Sequence, residues 1–262
     1  MQYMKRILLL CLFVVNVLTI LAQTSGCEIV RKPKGGNNVE NATKATGSPS
    51  GYANGHSYVN LGLPSGTMWA TMNIGAKDEF SRGEEYAWGE CSPGKKERWN
   101  DYFDYKGTDE YNNATFNTYH HGSGGKYSIS PDDGHDVCRI KWGGKWRMPT
   151  KKEFEELRYK CKWKRLRIKG RDTYKITGPN GNSIYLVSSE DPKEGYEWGW
   201  YLYWTSTLDT TRSEERKYDD HDICTYMFIR SGLASYDGIY GFSQGLRIQA
   251  CHIRPVFNPK EE

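Results

Sequence analysis

The sequence predicts an α+β fold in which a helix lies among many short strands. Of its 262 residues, 28 are glycine and 14% are aromatic, a composition typical of loop-rich sheet domains and not of helical bundles. Short segments rich in β-branched and aromatic residues recur between Gly-, Asn- and Asp-rich turns. One segment combines a helix start signal with an apolar period of about 3.6 residues. No internal repeat or heptad pattern suggests another architecture.

The N-terminal segment has the pattern of a secretory signal peptide over residues 1–22. Two basic residues precede a 16-residue uncharged apolar run that closes on Ala22. A lipoprotein alternative exists at Cys27, but Thr24 stands where a large aliphatic residue is usual, which favours simple cleavage after Ala22. The run is short for a membrane span and no later segment is apolar enough for one, so export to the periplasm, cell surface or medium is expected.

Residues 23–56 are predicted to form a disordered tether, and residues 57–262 the folded domain. The tether segment consists of Gly, Asn, Ser, Thr and Lys with almost no apolar side chains. Such a segment cannot bury enough surface to offset the entropy lost on ordering. Removal of the signal peptide lowers the formal charge from +4 to +2, a balance that identifies no partner.

Six cysteines remain after the signal peptide, and an even number in an exported chain indicates disulfides. No CxxC pair or Cys/His spacing indicates zinc. The sequence leaves the pairing open. The disulfide candidates within the predicted domain are Cys91, Cys138, Cys161, Cys224 and Cys251.

Strand signals recur along the predicted domain. Residues 58–76 hold two apolar stretches around a Pro-Ser-Gly turn, and residues 173–187 alternate apolar and polar side chains around GPNGN, so both are predicted hairpins. Further strands are predicted in YLYWTSTL, CTYMFIR and GLRIQACHIRPVF. Residues 209–222 and 231–244 read as long loops.

The helix is predicted to follow a corner at residues 142–150, WGGKWRMPT. Thr150 and Glu153 form a capping box, in which each side chain satisfies a backbone amide of the other's turn. Apolar residues then follow on one helix face: Phe154, Leu157 and Cys161. The two glycines let the backbone turn tightly, and Trp142 and Trp146 are expected to cover the core. We expect a strand to lead into this corner.

Six motifs occur in order between residues 57 and 258: LGLPSGTMWATMNIGA, EYAWGE, HDVCRIKWGGKWRMPTKKEFEEL, YKITGPNGNSIYLV, YWTSTL and IRPVF. At these motifs the chain resembles the Fibrobacter succinogenes major paralogous domain, a family abundant in secreted proteins of gut Bacteroidetes. That family is akin to the Legionella collagen-like protein C-terminal domain and to formylglycine-generating sulfatase-modifying enzymes. The resemblance implies a C-type-lectin-like fold, with twisted antiparallel sheets, one or two helices and long loops that display a binding surface. It leaves the function open, since one fold hosts many activities.

The chain departs from the family pattern at its cysteines. Met72 stands where the family pattern has cysteine, so the usual partner of another cysteine is missing. The enzyme relatives hold copper with two nearby cysteines late in the chain, whereas here 26 residues separate Cys224 from Cys251. We therefore expect no catalytic role and no resident cofactor, and we rank an oxidase-type enzyme last.

A basic segment is the most distinctive chemical feature. Residues 139–171 hold 14 Lys or Arg and three acidic residues. Four of the basic residues recur at a spacing of two and would share one face of a strand: Arg165, Arg167, Lys169 and Arg171. They are candidate ligands for a polyanion, because arginine matches sulfate and phosphate geometry. Sulfated or uronic-acid glycans and lipopolysaccharide phosphate fit this interpretation, with nucleic acid the least expected. The alternative, protection of an exposed strand edge, is the commoner use of such a row.

Two loops combine acidic residues with histidine, at Asp132, Asp133, His135 and Asp136, and at Asp219, Asp220, His221 and Asp222. Clustered carboxylates suit calcium, which makes Asp219, Asp220 and Asp222 candidate ligands. Their spacing matches no dedicated calcium loop, and adjacent aspartates commonly just solvate a turn. Calcium is therefore the one cofactor alternative.

The Gly-rich loop before the last strands supplies a second set of candidate ligand-binding residues, Tyr236, Asp237 and Tyr240. The resemblance implies this role, since the late loop region of lectin-like folds commonly forms the display surface. The alternative for any single one of them, packing in the core or a turn, is the commoner role. Together these features predict an exported, non-catalytic protein that binds a glycan or another surface polymer. The alternative is a structural or adhesin subunit that docks to other surface proteins.

Overall fold

The computed structural model describes residues 49–110, 114–119, 125–190, 200–208, 223–230 and 242–261, with the backbone alone for 223–230 and 242–244. The chain divides into two units, Met1–Glu40 and Asn41–Glu262. The first unit lies outside the described residues, and with it the predicted signal peptide and Cys27. No helix in the described ranges is long and apolar enough to cross a membrane.

The described residues form an α+β fold, as predicted. In chain order the strands are β1 Gly51–Ala53, β2 His56–Asn60, β3 Met68–Ala70, β4 Glu85–Tyr86, β5 Tyr105–Thr108, β6 Ala114–Phe116, β7 Lys162–Ile168, β8 Arg171–Thr177, β9 Ser183–Val187, β10 Trp200–Leu208, β11 Ile223–Arg230, β12 Phe242–Leu246, β13 Cys251–His252 and β14 Val256–Phe257. The helices are α1 Val137–Trp142 and α2 Lys151–Lys160, with a 3₁₀ turn at Trp99–Asp101.

The strands pair into four sheets with the orders β1-β2-β3-β14, β12-β11-β10-β13-β4, β5-β6 and β7-β8-β9. Among the strands of the described ranges, all pairs are antiparallel except that β13 runs parallel to β10. The predicted hairpins β2–β3 and β8–β9 are confirmed. The strands predicted at YLYWTSTL and CTYMFIR are β10 and β11, while the final predicted strand is divided into β12, β13 and β14.

The predicted corner at residues 142–150 is entered from a helix, so the expectation of a strand there was wrong. Asp136 caps α1, because its side chain accepts hydrogen bonds from the backbone amides of Cys138 and Arg139. These bonds supply the partners that the first turn of a helix lacks. The capping box that starts α2 is confirmed, with Thr150 and Glu153 in reciprocal contact.

The domain starts earlier than the sequence indicated, because the last residues assigned to the tether form β1 and its turn. Asn54 and Gly55 join β1 to β2 with left-handed φ angles of 46° and 81°. An Asn-Gly pair is the preferred two-residue turn of a hairpin. The polar composition of residues 23–56 concealed this short signal.

Both tryptophans of the corner are buried, as predicted. Trp146 is 0% exposed, and its indole nitrogen donates to the Ala53 carbonyl at 2.8 Å. The Asn54 side-chain amide donates to the Trp142 carbonyl. The β1–β2 hairpin thus covers the corner. Its two hydrogen bonds give partners to the Trp146 indole nitrogen and the Trp142 carbonyl, which would otherwise be buried without one.

The two glycines of the corner are needed for their backbone angles and for space. Gly143 and Gly144 have φ angles of 65° and 58°, which residues other than glycine rarely adopt. A Cβ atom at Gly143 would lie 2.9 Å from the Asn54 amide nitrogen. Tight contact with the hairpin and a left-handed backbone therefore both select glycine.

The helix α2 closes the core beneath the β7-β8-β9 sheet. Phe154 and Leu157 are fully buried, and the Phe154 ring lies 5.1 Å from that of Trp69. This cluster contains apolar side chains from the β1-β2-β3-β14 sheet, from the β7-β8-β9 sheet and from β10, namely Val59, Trp69, Tyr174, Ile176, Ile184, Leu186, Tyr201 and Tyr203. One face of the β7-β8-β9 sheet is thereby committed to the core.

Candidate functional site

The strand β7 carries the first two of the four basic residues predicted to share a face. β7 ends at Ile168, and Lys169 turns the chain with a left-handed φ of 51°. In the following strand Arg171 pairs with Ile168, while Asp172 pairs with Arg167. Because adjacent residues of a strand point to opposite sides, Arg167 and Arg171 lie on opposite faces. The predicted single face was therefore wrong, since the turn at Lys169 interrupts the strand.

Arg167 is bound to a carboxylate of the same hairpin. Its Nε and Nη2 donate to Asp172 Oδ1 at 2.9 and 2.8 Å. The Asp172 side chain is 0% exposed, and a buried carboxylate needs such a partner. Arg165 is half-buried and precedes Arg167 by two positions on the same strand. Arg167 is consequently a structural residue first.

Lys169 and Arg171 are held against the segment that follows β3. Lys169 Nζ lies 2.8 Å from Asp78 Oδ2, and this hydrogen bond is the largest contribution that lowers the pKa of Asp78 to about 2. The ammonium also lies 5.4 Å from the centre of the Phe80 ring. Arg171 Nη1 donates to the Phe80 carbonyl at 3.1 Å. Both side chains therefore fasten this segment to the β7–β8 turn.

Three other cations share one face of the β7–β8 hairpin, and we call Lys162, Lys164 and Lys175 the lysine row. Lys164 pairs directly with Lys175 across β7 and β8. Lys162 pairs with Thr177, two residues along β8 from Lys175, so Lys162 is a diagonal neighbour of Lys175. Lys162 and Lys164 are exposed on β7, an outer strand of its sheet. Directly paired side chains have Cβ atoms about 5 Å apart, and like charges at that position destabilise a sheet.

The acidic loop before α1 is built into the fold. Asp136 is almost fully buried, and its Oδ2 accepts from the Met148 amide at 2.8 Å while Oδ1 caps α1. Burial outweighs these hydrogen bonds and raises the pKa of Asp136 to about 6. Asp133 accepts from the Tyr119 hydroxyl and the Ser130 amide. These carboxylates already have local partners.

Within the described ranges, no three His, Cys, Asp or Glu side chains are grouped so that they could hold a metal ion. The calcium candidates Asp219, Asp220 and Asp222 lie outside those ranges. The same is true of the candidate ligand-binding residues Tyr236, Asp237 and Tyr240. These assignments stay predictions.

No disulfide joins Cys91, Cys138, Cys161 and Cys251 to one another. Cys138 and Cys251 are buried in one core cluster, against which Cys91 packs, whereas Cys161 packs against the cluster under α2. Burial raises the pKa of Cys91 and Cys161 to about 11, so neither is a reactive thiolate at neutral pH. The expected disulfides are thus not found among the described cysteines. The side chain of Cys224 lies outside the described part, and a disulfide through Cys224 stays a prediction.

A polar pair at the β4–β13 contact, formed by a buried histidine and a partly exposed glutamate, was missed by sequence reasoning. His252 is 1% exposed, and its Nε2 lies 3.3 Å from Glu85 Oε1. The two residues pair across β4 and β13. A single histidine in the segment ACHIRP has no motif around it, and only the sheet pairing brings a carboxylate to it.

Comparison of the chain with protein-family models, curated proteins and solved structures finds no match.

Proposed function

We propose that this is an exported, non-catalytic binding protein with a C-type-lectin-like fold, which docks an anionic glycan of a cell surface through the lysine row. The observation that carries the proposal is the direct pairing of Lys164 with Lys175. The sequence resemblance to a family of secreted, lectin-like domains supports the fold and the exported location. The arrangement of cations supports the class of ligand.

The lysine row brings three positive charges to neighbouring positions of β7 and β8. Two lysines that pair directly across neighbouring strands repel each other, and Lys162 adds a third charge diagonal to the pair. An anion that contacts all three ammonium groups removes this repulsion on binding. Carboxylate or sulfate groups repeated along a glycan supply such charges at regular spacing.

The row also has the accessibility that a polymer needs. Lys162 and Lys164 are exposed, and β7 is an outer strand of a three-stranded sheet. Tyr159, three residues before Lys162, is 69% exposed and has the Arg158 guanidinium 5.1 Å from its ring centre. An exposed aromatic ring close in sequence to cations suits a sugar ring that carries an acidic group.

The experiment compares two charge-matched triple variants on a heparin column. One variant carries Lys162→Gln, Lys164→Gln and Lys175→Gln. The control carries Lys77→Gln, Lys95→Gln and Lys106→Gln, three exposed lysines outside the sheet. We expect the row variant to elute at clearly lower salt than the control, with polygalacturonate competing for the wild-type protein.

Equal elution of the two triple variants would overturn the docking proposal. If the row variant also aggregates faster than the control, the lysines protect the edge of β7, which is the alternative reading of the same row. Competition by DNA but not by acidic polysaccharide would contradict the class of ligand.

A further inference from the structure

The histidine of β13 has a fixed tautomer. His252 Nδ1 lies 3.2 Å from the Glu84 carbonyl oxygen, which can only accept a hydrogen bond. Nδ1 must therefore carry a hydrogen and donate it. In the neutral ring this leaves Nε2 with a lone pair, so Nε2 is an acceptor.

That acceptor lies beside another acceptor. Glu85 Oε1 lies 3.3 Å from Nε2, and no hydrogen bond reaches Nε2 from any described residue. An ionised carboxylate has no hydrogen to donate. In a site where the imidazole is 1% exposed, a buried acceptor that lies beside a carboxylate and has no donor is unfavourable.

We propose that Glu85 and His252 form a proton-binding site, in which one proton taken from solvent is shared between Oε1 and Nε2 and fastens β4 to β13. The proton makes a single hydrogen bond between the two side chains, and no other bond forms or breaks. The proton reaches the pair from solvent through Glu85, because the Glu85 side chain is 41% exposed while that of His252 is buried. The two residues are cross-strand partners, so the shared proton acts directly on the pairing of the strands.

The charges around the pair place the proton on the carboxyl side. Burial lowers the pKa of His252 to about 4, and the nearby Arg82 and Arg254 cations act in the same direction. Burial and the neighbouring Glu190 raise the pKa of Glu85, while Arg82 opposes that rise. The protonated Glu85 carboxyl therefore donates to a neutral His252.

The other groups near the pair are engaged elsewhere or carry no charge. The Glu84 carboxylate binds the Tyr86 hydroxyl and Lys141 Nζ, and the Tyr203 ring centre lies 5.8 Å from that of His252. The pH window follows from the two shifts. Stability due to protonated Glu85 is full below its unfolded pKa of about 4.5 and is lost as the pH rises through the raised folded value. Stability due to neutral His252 is full above about 6.5 and is lost as the pH falls through about 4.

The test is side-chain ¹⁵N NMR of His252 from pH 8 to pH 4 in the intact protein. In wild type we expect Nδ1 to stay protonated and the Nε2 shift to move in one step as the shared proton binds. In Glu85→Gln the amide donates to Nε2 at every pH, so this step should be lost above pH 5. The control Glu97→Gln, an exposed residue of the same charge, should titrate as wild type does.

Hydrogen exchange gives a second measurement that does not depend on the ring. Protection factors of the β4 and β13 amides, corrected for the intrinsic pH dependence of exchange, should rise with proton uptake in wild type and stay constant in Glu85→Gln. A His252 shift that is flat in wild type, or one that titrates near its ordinary pKa in both proteins, would overturn the proposal.

Discussion

The imidazole of His56 lies flat on the indole of Trp142, with ring centroids 3.9 Å apart and planes within 3° of parallel. Burial lowers the pKa of His56, which keeps the stacked ring neutral at physiological pH. The stack joins the start of β2 to the end of α1, two segments far apart in the sequence. It makes the N-terminal hairpin a structural part of the domain.

A chain that begins at Ser57 should be less stable than one that begins at Pro49. The shorter chain loses the His56 stack and the Trp146 hydrogen bond to Ala53, which together contribute about 2 kcal/mol. Urea unfolding should show the lower free energy of unfolding. Tyr52→Ser in the longer chain is the control, because that side chain is 71% exposed and its loss should change stability little. Equal stability of the two chains would support a folded domain that begins at residue 57.

Replacement of Arg167 should cost stability before it affects any ligand. In Arg167→Met the buried Asp172 carboxylate loses two hydrogen bonds from the guanidinium. Removal of one partner from a buried pair is costly, and half exposure of the arginine reduces the loss to about 2 kcal/mol. Lys162→Met, an exposed position of the same strand, should stay within about 0.5 kcal/mol of wild type. Chemical denaturation measures both, and a fully stable Arg167→Met that no longer binds heparin would make Arg167 a docking residue after all.

The contact of Lys169 with Asp78 should contribute a small, pH-dependent stabilisation. The pKa of Asp78 is lowered to about 2, chiefly by this lysine, so the contribution is full above about 3.8 and is lost as the pH falls through about 2. Both side chains are partly exposed, which limits the effect to about 0.5 kcal/mol. Melting temperatures of wild type and Lys169→Met should differ at pH 6 and converge near pH 2. A difference that persists unchanged at pH 2 would assign the effect to packing on Phe80.

Local signals in the sequence predicted much of the fold. The capping box at Thr150, the turn at GPNGN and the alternation in β8 and β9 are each encoded within a few residues, and all were confirmed. The tether boundary differed because the Asn54–Gly55 turn lies in a polar segment that offers no apolar face of its own. The hairpin that it forms with β2 also contacts Trp142 and Trp146 through Asn54 and Ala53, and no local pattern reveals these contacts.

The candidate site was harder to predict because it depends on strand ends. A spacing of two was present both in the arginine-rich residues 165–171 and in Lys162 and Lys164, and sequence alone could not show that β7 stops at Ile168. The pairing of Lys164 with Lys175 is set by the hairpin register. Glu85 and His252 are far apart in the sequence, and the pairing of β4 with β13 brings them together.

Arg254 is a fully buried cation that joins three parts of the fold. Its Nε donates to Asn73 Oδ1 at 2.8 Å, its Nη1 to the Ala70 carbonyl at 3.0 Å and its Nη2 to the Tyr185 carbonyl at 2.7 Å. The planar guanidinium reaches these three acceptors in fixed directions, whereas a lysine ammonium is a single point at the end of a flexible chain.

Arg254→Lys should therefore destabilise the domain by about 3 kcal/mol although it keeps the charge, because buried carbonyls lose their donors and the ammonium is left poorly solvated. Arg98→Lys, at an exposed arginine, is the matched control and should leave the free energy of unfolding unchanged. Urea titration measures both variants. If Arg254→Lys proved as stable as wild type, this position would require only a positive charge. The directional hydrogen bonds from Arg254 to Ala70 and Tyr185 would then not stabilise the domain.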